Sequence, residues 1–153
     1  DALNCLAGRP ELLRKTARPA VITPHPGEMG RLCGMSARQV SENAMSVARL
    51  FARENRVIVV LKGHRTVVAT PEEEVFVNTT GNAGLAKGGS GDVLAGMIAG
   101  LLAQGIPPRD AAVCGVWLHG YTADRLAGRI SQYSMMARDI LSEIPAVLKE
   151  LGK

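Results

Sequence analysis

The chain has 153 residues, about one domain at roughly 100–200 residues each. Hydrophobic residues make up 46% and aromatics only 3%, so a sizeable core must be filled by Ala, Val, Leu, Ile and Met. The net charge of +4 comes from arginines interleaved with Glu and Asp, without a block of like charges, which argues against a nucleic-acid partner.

Cys5, Cys33 and Cys114 are odd in number and widely spaced, with no C-x-x-C or Cys/His ligand pattern. They read as buried or free thiols of a reducing compartment. No charged-then-apolar leader opens the chain, and the longest apolar run, Val93 to Ala103, is too short to span a bilayer. The expectation is a soluble, cytoplasmic protein.

Along the chain, Ala20–Thr23 is a short apolar strand candidate that stops at Pro24. Ser36 and Gln39 have the spacing of a capping box, and Val40, Ala44, Val47, Ala48 and Phe51 follow at helical spacing, predicting a helix to about Glu54. Val57–Leu61 is five consecutive apolar residues, mostly β-branched, as in a strand of a parallel sheet buried on both faces. Thr66–Ala69 and Val75–Asn78 flank the polar run Thr70-Pro71-Glu72-Glu73-Glu74 and read as two strands joined by a turn. A glycine-rich stretch, Gly81–Gly91, leads into Asp92–Gln104, a helix so uniformly apolar that burial all round is expected. Pro107-Pro108 opens a further helix to about Leu126, and Ser134–Leu151 supplies a last amphipathic one. The order is α/β throughout: a largely parallel sheet with flanking helices, in three α/β/α layers.

The chemistry concentrates in the glycine stretch. Gly88, Gly89 and Gly91 fall within four residues and run straight into a helix. Successive amides of such a segment point into one concavity, a nest, and the helix N-terminus adds partial positive charge; together they suit a phosphate. Asp92 would repel an anion if binding were the only task. It makes sense beside a hydroxyl that loses its proton as a phosphoryl group arrives. The plain alternative is a helix-capping Asp after a flexible loop. Neither a Walker A sequence nor G-x-G-x-x-G is present.

The run Asn78-Thr79-Thr80-Gly81-Asn82-Ala83-Gly84-Leu85-Ala86-Lys87-Gly88-Gly89-Ser90-Gly91-Asp92-Val93-Leu94-Ala95-Gly96 closely resembles the signature of the ATP/ADP-dependent NAD(P)H-hydrate dehydratases, a ribokinase-like family. Thr23-Pro24-His25-Pro26-Gly27-Glu28, Leu61-Lys62-Gly63-His64-Arg65-Thr66, His119-Gly120 and Ala137-Arg138-Asp139-Ile140 agree in order, and Asp1-Ala2-Leu3-Asn4 resembles the tail of a D-A-D-A-L-N motif. Lys87 departs from the usual Thr or Ser, and Leu85 from Met. Lys87 is expected to face solvent rather than to add a cation near phosphate.

The resemblance implies dehydration of hydrated NADH or NADPH, with ATP or ADP and Mg²⁺. It makes Asp92 the catalytic base, also touching substrate, and Gly88, Gly89, Ser90 and Gly91 the anion hole. Lys62, Gly63, His64, Arg65 and Thr66 become the nucleotide-binding turn, for which a plain hairpin is the alternative. His25 contacts the hydrated nicotinamide, against a turn histidine between two prolines. Glu28 organises water around Mg²⁺ without ligating the metal, against a carboxylate complementing a helix dipole. His119 is expected to be a packing histidine. A kinase of a small hydroxylated metabolite or vitamin precursor, and an inactive nucleotide-binding fragment, are the competing functions. The match covers the C-terminal half of the family's domain, so the fold is expected to lack its first strands. Ala20–Thr23 or Val57–Leu61 would then have an unpaired neighbour, which favours a homo-oligomer.

Overall fold

The computed structural model describes residues 2–17 and 19–152, which form two compact units. The first runs up to Asn78 and includes Pro107–Val113; the second comprises Thr79–Ile106 and the residues from Cys114 onward. Asp1, the start of the motif tail noted above, lies outside the described residues.

The first unit is built on a sheet of β1 (Val21–Ile22), β2 (Ile58–Leu61), β3 (Val67–Ala69) and β4 (Val75–Val77), in that spatial order. β1 and β2 are parallel, with Val21 opposite Ile58. The other two pairs are antiparallel, Val60 facing Val68 and Val68 facing Phe76. The α/β class stands, but the sheet is mixed rather than largely parallel. The reason is local: turns of five residues, Lys62–Thr66 and Thr70–Glu74, join β2 to β3 and β3 to β4. Connections that short reverse a strand and cannot cross over to a parallel one.

Four helices accompany this sheet: α1 (Ala2–Cys5), α2 (Pro26–Cys33), α3 (Ala37–Glu42) and α4 (Ala44–Asn55), with a 3₁₀ turn over Pro10–Lys15. Ser36 and Gln39 form the expected capping box. The single helix expected after it is two, because Asn43 leaves helical geometry (φ −125°, ψ 29°) and its side chain turns back to donate to the Gln39 carbonyl at 3.1 Å. Val40 of α3 and Val47, Ala48, Phe51 and Ala52 of α4 share one core with Val57, Val59, Leu61, Val67 and Ala69. Ile58, Val60 and Val68, which alternate with these, are buried as well. β2 is thus covered on both faces, as its sequence suggests. Full burial of side chains such as Met29 and Phe51 contributes about 1.5–3 kcal/mol each.

The second unit contains α5 (Ser90–Ala103), most of α6 (Pro108–Ala127) and α7 (Ala137–Glu150). Val93, Ala123, Leu126, Met135 and Ile140 form its core. Glu143 ties α7 to α6: buried, it takes hydrogen bonds from Arg129 Nη1 at 3.1 and 2.9 Å, with Arg125 Nε at 3.5 Å. Arg125 also pairs with Glu150, which accepts from the Tyr121 hydroxyl at 2.7 Å. A carboxylate in that position is tolerable only because it is paired.

Two expectations change here. α5 is not buried all round: Ala95, Gly96, Ala99, Gly100 and Ala103 are exposed, while Val93, Leu94 and Ile98 face inward. Its uniform hydrophobicity comes partly from residues too small for exposure to cost much. α7 begins at Ala137 rather than Ser134, because Ser134 and Met135 are engaged in a turn on the Ser131 carbonyl. The cysteines are free, one of the two states expected, with Cys5 and Cys114 exposed. Among the described residues, no helix is long and apolar enough to cross a membrane.

Candidate functional site

Because β1 and β2 are parallel, their carboxyl ends emerge on the same side, where open α/β sheets bind ligands. The Lys62 amide donates to the Pro24 carbonyl at 2.8 Å, which brings Thr23–Glu28 beside the Lys62 turn. His25 is the N-cap of α2, and its Nδ1 accepts from the Gly27 and Glu28 amides at 3.0 and 3.3 Å. Glu28 returns the contact, its Oε2 accepting from the His25 amide at 2.7 Å. Pro26 suits the first helical position, where no amide is needed. This reciprocal box orients His25: with Nδ1 occupied as an acceptor, Nε2 carries the proton, 3.5 Å from Glu28 Oε2.

Lys62 Nζ stands 3.8 Å from the same oxygen, so among the described residues the three polar contacts of the Glu28 carboxylate fall on Oε2. Glu28 is largely buried while His25 is half exposed. Both plain readings are therefore realised: the histidine sits in a turn between prolines, and the glutamate serves a helix start. Neither excludes a second role, since the His25 ring is half exposed and Glu28 Oε1 has no polar contact among the described residues. Gly63, His64 and Arg65 form the exposed tip of the β2–β3 hairpin, closed by Thr66 Oγ1 donating to the Gly63 carbonyl at 3.3 Å. Among the described residues, no three His, Cys, Asp or Glu side chains converge on a point where they could hold a metal ion.

The remaining expected residues are in the second unit. Gly89 is the N-cap of α5 with φ 88°, a left-handed conformation that glycine adopts without steric cost. No side chain caps this helix, whose first residues are Ser90, Gly91 and Asp92. Around Gly88 the space where a Cβ would stand is open to at least 4 Å. Asp92 is exposed in the first turn, three residues past the N-cap, so it is not the capping residue of the plain reading. Among the described residues, no hydrogen bond or ion pair engages its carboxylate. A helix start that no side chain caps, open space at Gly88 and a carboxylate unengaged among the described residues thus meet within five residues.

Lys87 overturns its expectation. Its ammonium donates to the carbonyls of Tyr133, of Met135 at 2.9 Å and, more weakly, of Gln132 at 3.4 Å. An ammonium has three protons to give, and this one gives them to the protein rather than to water. Lys87 also lines an open pocket of about 520 Å³ with Ala83, Ala127, Ser131, Gln132 and Tyr133.

Asp124 went unassigned in the sequence. Asp124 on α6 accepts from the Gly81 amide at 2.7 Å and from Asn82 Nδ2 at 2.9 Å. No local pattern points to a contact across more than forty residues. His119, read as a packing residue, is buried, and Nε2 lacks a partner among the described residues. Burial pushes its imidazole down to about 4, against the pull of a backbone hydrogen bond with Ser90 at the start of α5.

Comparison with known proteins accounts for the order of these motifs. Residues 1–146 match the family model described as NAD(P)H-hydrate dehydratase. The bifunctional NAD(P)H-hydrate repair enzyme of Moorella thermoacetica is 48% identical over 151 residues, which cover 99% of this chain and 28% of that protein. The ADP-dependent (S)-NAD(P)H-hydrate dehydratase of Neisseria meningitidis is 48% identical over 126 residues, 81% of this chain and 43% of that one. Among solved structures, the ADP/ATP-dependent NAD(P)H-hydrate dehydratase of Bacillus subtilis, co-crystallized with ATP/Mg²⁺, superposes with a TM-score of 0.83 at 36% identity, covering 86% of this chain and 48% of that one. A ribokinase-like superfamily protein of Enterococcus faecalis superposes with a TM-score of 0.72, covering 85% and 44% of the two chains. The chain thus spans about half or less of the length of these relatives, and by the match along nearly all of its own length it belongs to the NAD(P)H-hydrate dehydratase family, with the ribokinase-like α/β fold.

Proposed function

We propose that this chain is the C-terminal half of a dehydratase domain, and that the complete protein uses ATP or ADP to restore NADH or NADPH hydrated on the nicotinamide ring. The observation that carries the reading is the unengaged Asp92 carboxylate in the first turn of uncapped α5, directly after Gly88-Gly89-Ser90-Gly91. In this reading the amides of Gly88–Gly91 receive the transferring phosphoryl group, and developing charge on its oxygens is stabilised by donors already in place. Asp92 accepts the proton of the ring hydroxyl as that oxygen attacks the terminal phosphorus; the bond to the bridging oxygen breaks and its electron pair leaves with the shortened nucleotide. The lone pair of the ring nitrogen then expels phosphate, which takes the electron pair of the ring carbon–oxygen bond, and the adjacent ring carbon gives up a proton to solvent, restoring the double bond of the reduced nicotinamide.

His25 presents its Nε2–H edge to the hydrated nicotinamide, held in orientation by the capping box. The hairpin tip Lys62–Thr66 binds the nucleotide through Lys62, Arg65 and its backbone. Mg²⁺ typically keeps several waters and takes few protein ligands beside substrate phosphates. Glu28 fits a contact to one of those waters, because among the described residues its interactions fall on Oε2 and leave Oε1. When bound, the ion neutralises charge on the phosphates.

The test incubates the complete protein with hydrated NADH and with ATP or ADP, following recovery of reduced-nicotinamide absorbance. Nucleotide-dependent recovery is expected. Phosphorylation of an unrelated small alcohol, without recovery, would instead favour a metabolite kinase.

A further inference from the structure

The glycine segment is held by two side chains from either end of the segment's surroundings. On its upstream side, Asp124 takes the Gly81 amide on Oδ2 at 2.7 Å and Asn82 Nδ2 on Oδ1 at 2.9 Å. Asn82 Oδ1 in turn accepts from the Gly84 amide at 3.0 Å. With Asn82 committed to Gly84 through its oxygen, only its NH₂ is left for Asp124. One carboxylate therefore sets the start of the 3₁₀ turn Ala83–Leu85 through a two-step relay.

On the downstream side, the Lys87 ammonium engages the carbonyls of Gln132, Tyr133 and Met135, in the loop between α6 and α7. The Lys87 carbonyl accepts from the Ser90 amide at 3.4 Å, so the residue that grips the loop also touches the first residue of α5. Gly88 and Gly89 lie between those two points.

We propose that Asp124 and Lys87 are positioning residues that form the Gly88–Asp92 turn before nucleotide arrives. This rests on the reading of that turn as the phosphate site. An unheld glycine-rich segment has more conformational freedom to lose than any other kind, and a ligand that must order it forfeits affinity. Neither side chain serves as a phosphate ligand here. The Asp124 carboxylate would repel an anion, and all three Lys87 protons are already given to carbonyls. Their contribution therefore falls on nucleotide affinity and leaves the chemical step alone.

The experiment compares the complete wild-type protein with Asp124→Asn and Lys87→Met. Asp124→Asn keeps the shape but turns an NH₂ toward donors. Lys87→Met keeps the aliphatic stem and removes all three donors. Without nucleotide, amides of residues 81–92 should exchange about tenfold faster or more in each variant, while amides of α7 keep wild-type protection. KM for the nucleotide should rise by about tenfold, with kcat at saturation within roughly twofold of wild type, as expected when only ordering cost changes. Saturating ADP should restore most of the lost protection.

Unchanged exchange and unchanged KM would overturn the proposal, and so would a fall in kcat at constant KM. If Asp124→Asn lowers protection throughout the protein, Lys87→Met reads the second tether independently. If the wild-type protein binds neither ATP nor ADP, the phosphate-site reading fails, and the exchange comparison still decides whether the tethers order the turn.

Discussion

Gly120 on α6 lies against the backbone of Thr80, so that a Cβ added to it would stand 2.7 Å from both the Thr80 carbonyl carbon and its oxygen. Thr80 Oγ1 meanwhile donates to the Trp117 carbonyl at 3.0 Å, one turn earlier on the same helix. The strand of chain entering the glycine segment is thus clamped to α6 at a point that only glycine allows. Gly120→Ala should destabilise the protein by about 1–3 kcal/mol, the usual range for overpacking against backbone. Calorimetry of the variant reads this directly, and an unchanged Tm would mean that the contact relaxes freely.

Asp92→Asn should lower turnover by about 10²–10⁴-fold, the typical contribution of a positioned acid–base group. Nucleotide affinity should be retained or rise slightly, because a negative charge next to the phosphate site is removed. Single-turnover rates with hydrated NADH, together with ADP titrations, separate the two effects. Near-wild-type turnover would remove Asp92 from the role of base.

The three clustered glycines differ in what they tolerate. Gly89 holds φ 88°, and a Cβ there would stand 3.1 Å from Ala137 Cβ; Gly91 lies inside α5 without that constraint on φ. Gly89→Ala should therefore cost about 1–2 kcal/mol through left-handed strain alone. Gly88→Ala, with open space at its Cβ, should fold as wild type and act only on nucleotide affinity. A matched pair of unfolding curves and ADP titrations checks the contrast. Equal stability losses at the two positions would show that neither glycine is distinguished by its backbone.

Much of this site was legible in the chain itself, and the parts that were not share a cause. Val57–Leu61, the Ser36/Gln39 box and the helix opening at Pro107-Pro108 are encoded within a few residues, and each is found where local pattern puts it. The glycines before α5 and Asp92 in its first turn are equally local. Pro26 and Glu28 carry a helix-start signal within three residues, and α2 realises it. Asp124, Lys87 and Gly120 act across roughly forty residues, through contacts that no window of sequence contains. Mixed pairing in the sheet could have been anticipated from the shortness of the two turns, whereas the apolar composition of β2 suggested parallel neighbours.

His119 makes stability depend on pH. Burial lowers its pKa from 6.5 to about 4 in the folded protein, so between those values the unfolded chain binds more protons. Stability then rises with pH across this window: the contribution is complete above about 6.5 and lost as pH falls toward 4. The full span corresponds to at most about 3 kcal/mol. His119→Gln, which cannot titrate, should flatten this part of the stability profile relative to wild type. Parallel profiles from denaturant unfolding at a series of pH values would show that the histidine does not carry the effect. The same loss of charge near Ser90 should leave ADP binding above pH 7 unaltered, because the imidazole is already neutral there.

The 153-residue chain in isolation is expected to be inactive and to self-associate. The relatives it matches are about twice its length or more. Within the described sheet, β2 has a neighbour on each side, which removes Val57–Leu61 as a candidate free edge. β1 and β4 end the described sheet, and of the two it is β1, whose described strand partner is β2, that adjoins the parallel pair. An apolar strand edge is a template for another strand, and in a free fragment a second copy supplies one at no cost in chemistry. β1 is only two residues long, and Ile22 is buried, so the association should be weak and concentration-dependent. Light scattering over a dilution series should therefore show mass rising with concentration, and a substitution of proline for Val21 should reduce that rise by removing an edge amide. Assayed alongside the complete protein, the fragment should give no nucleotide-dependent recovery of NADH absorbance. A monodisperse monomer with full activity would show that these residues already contain the whole catalytic unit.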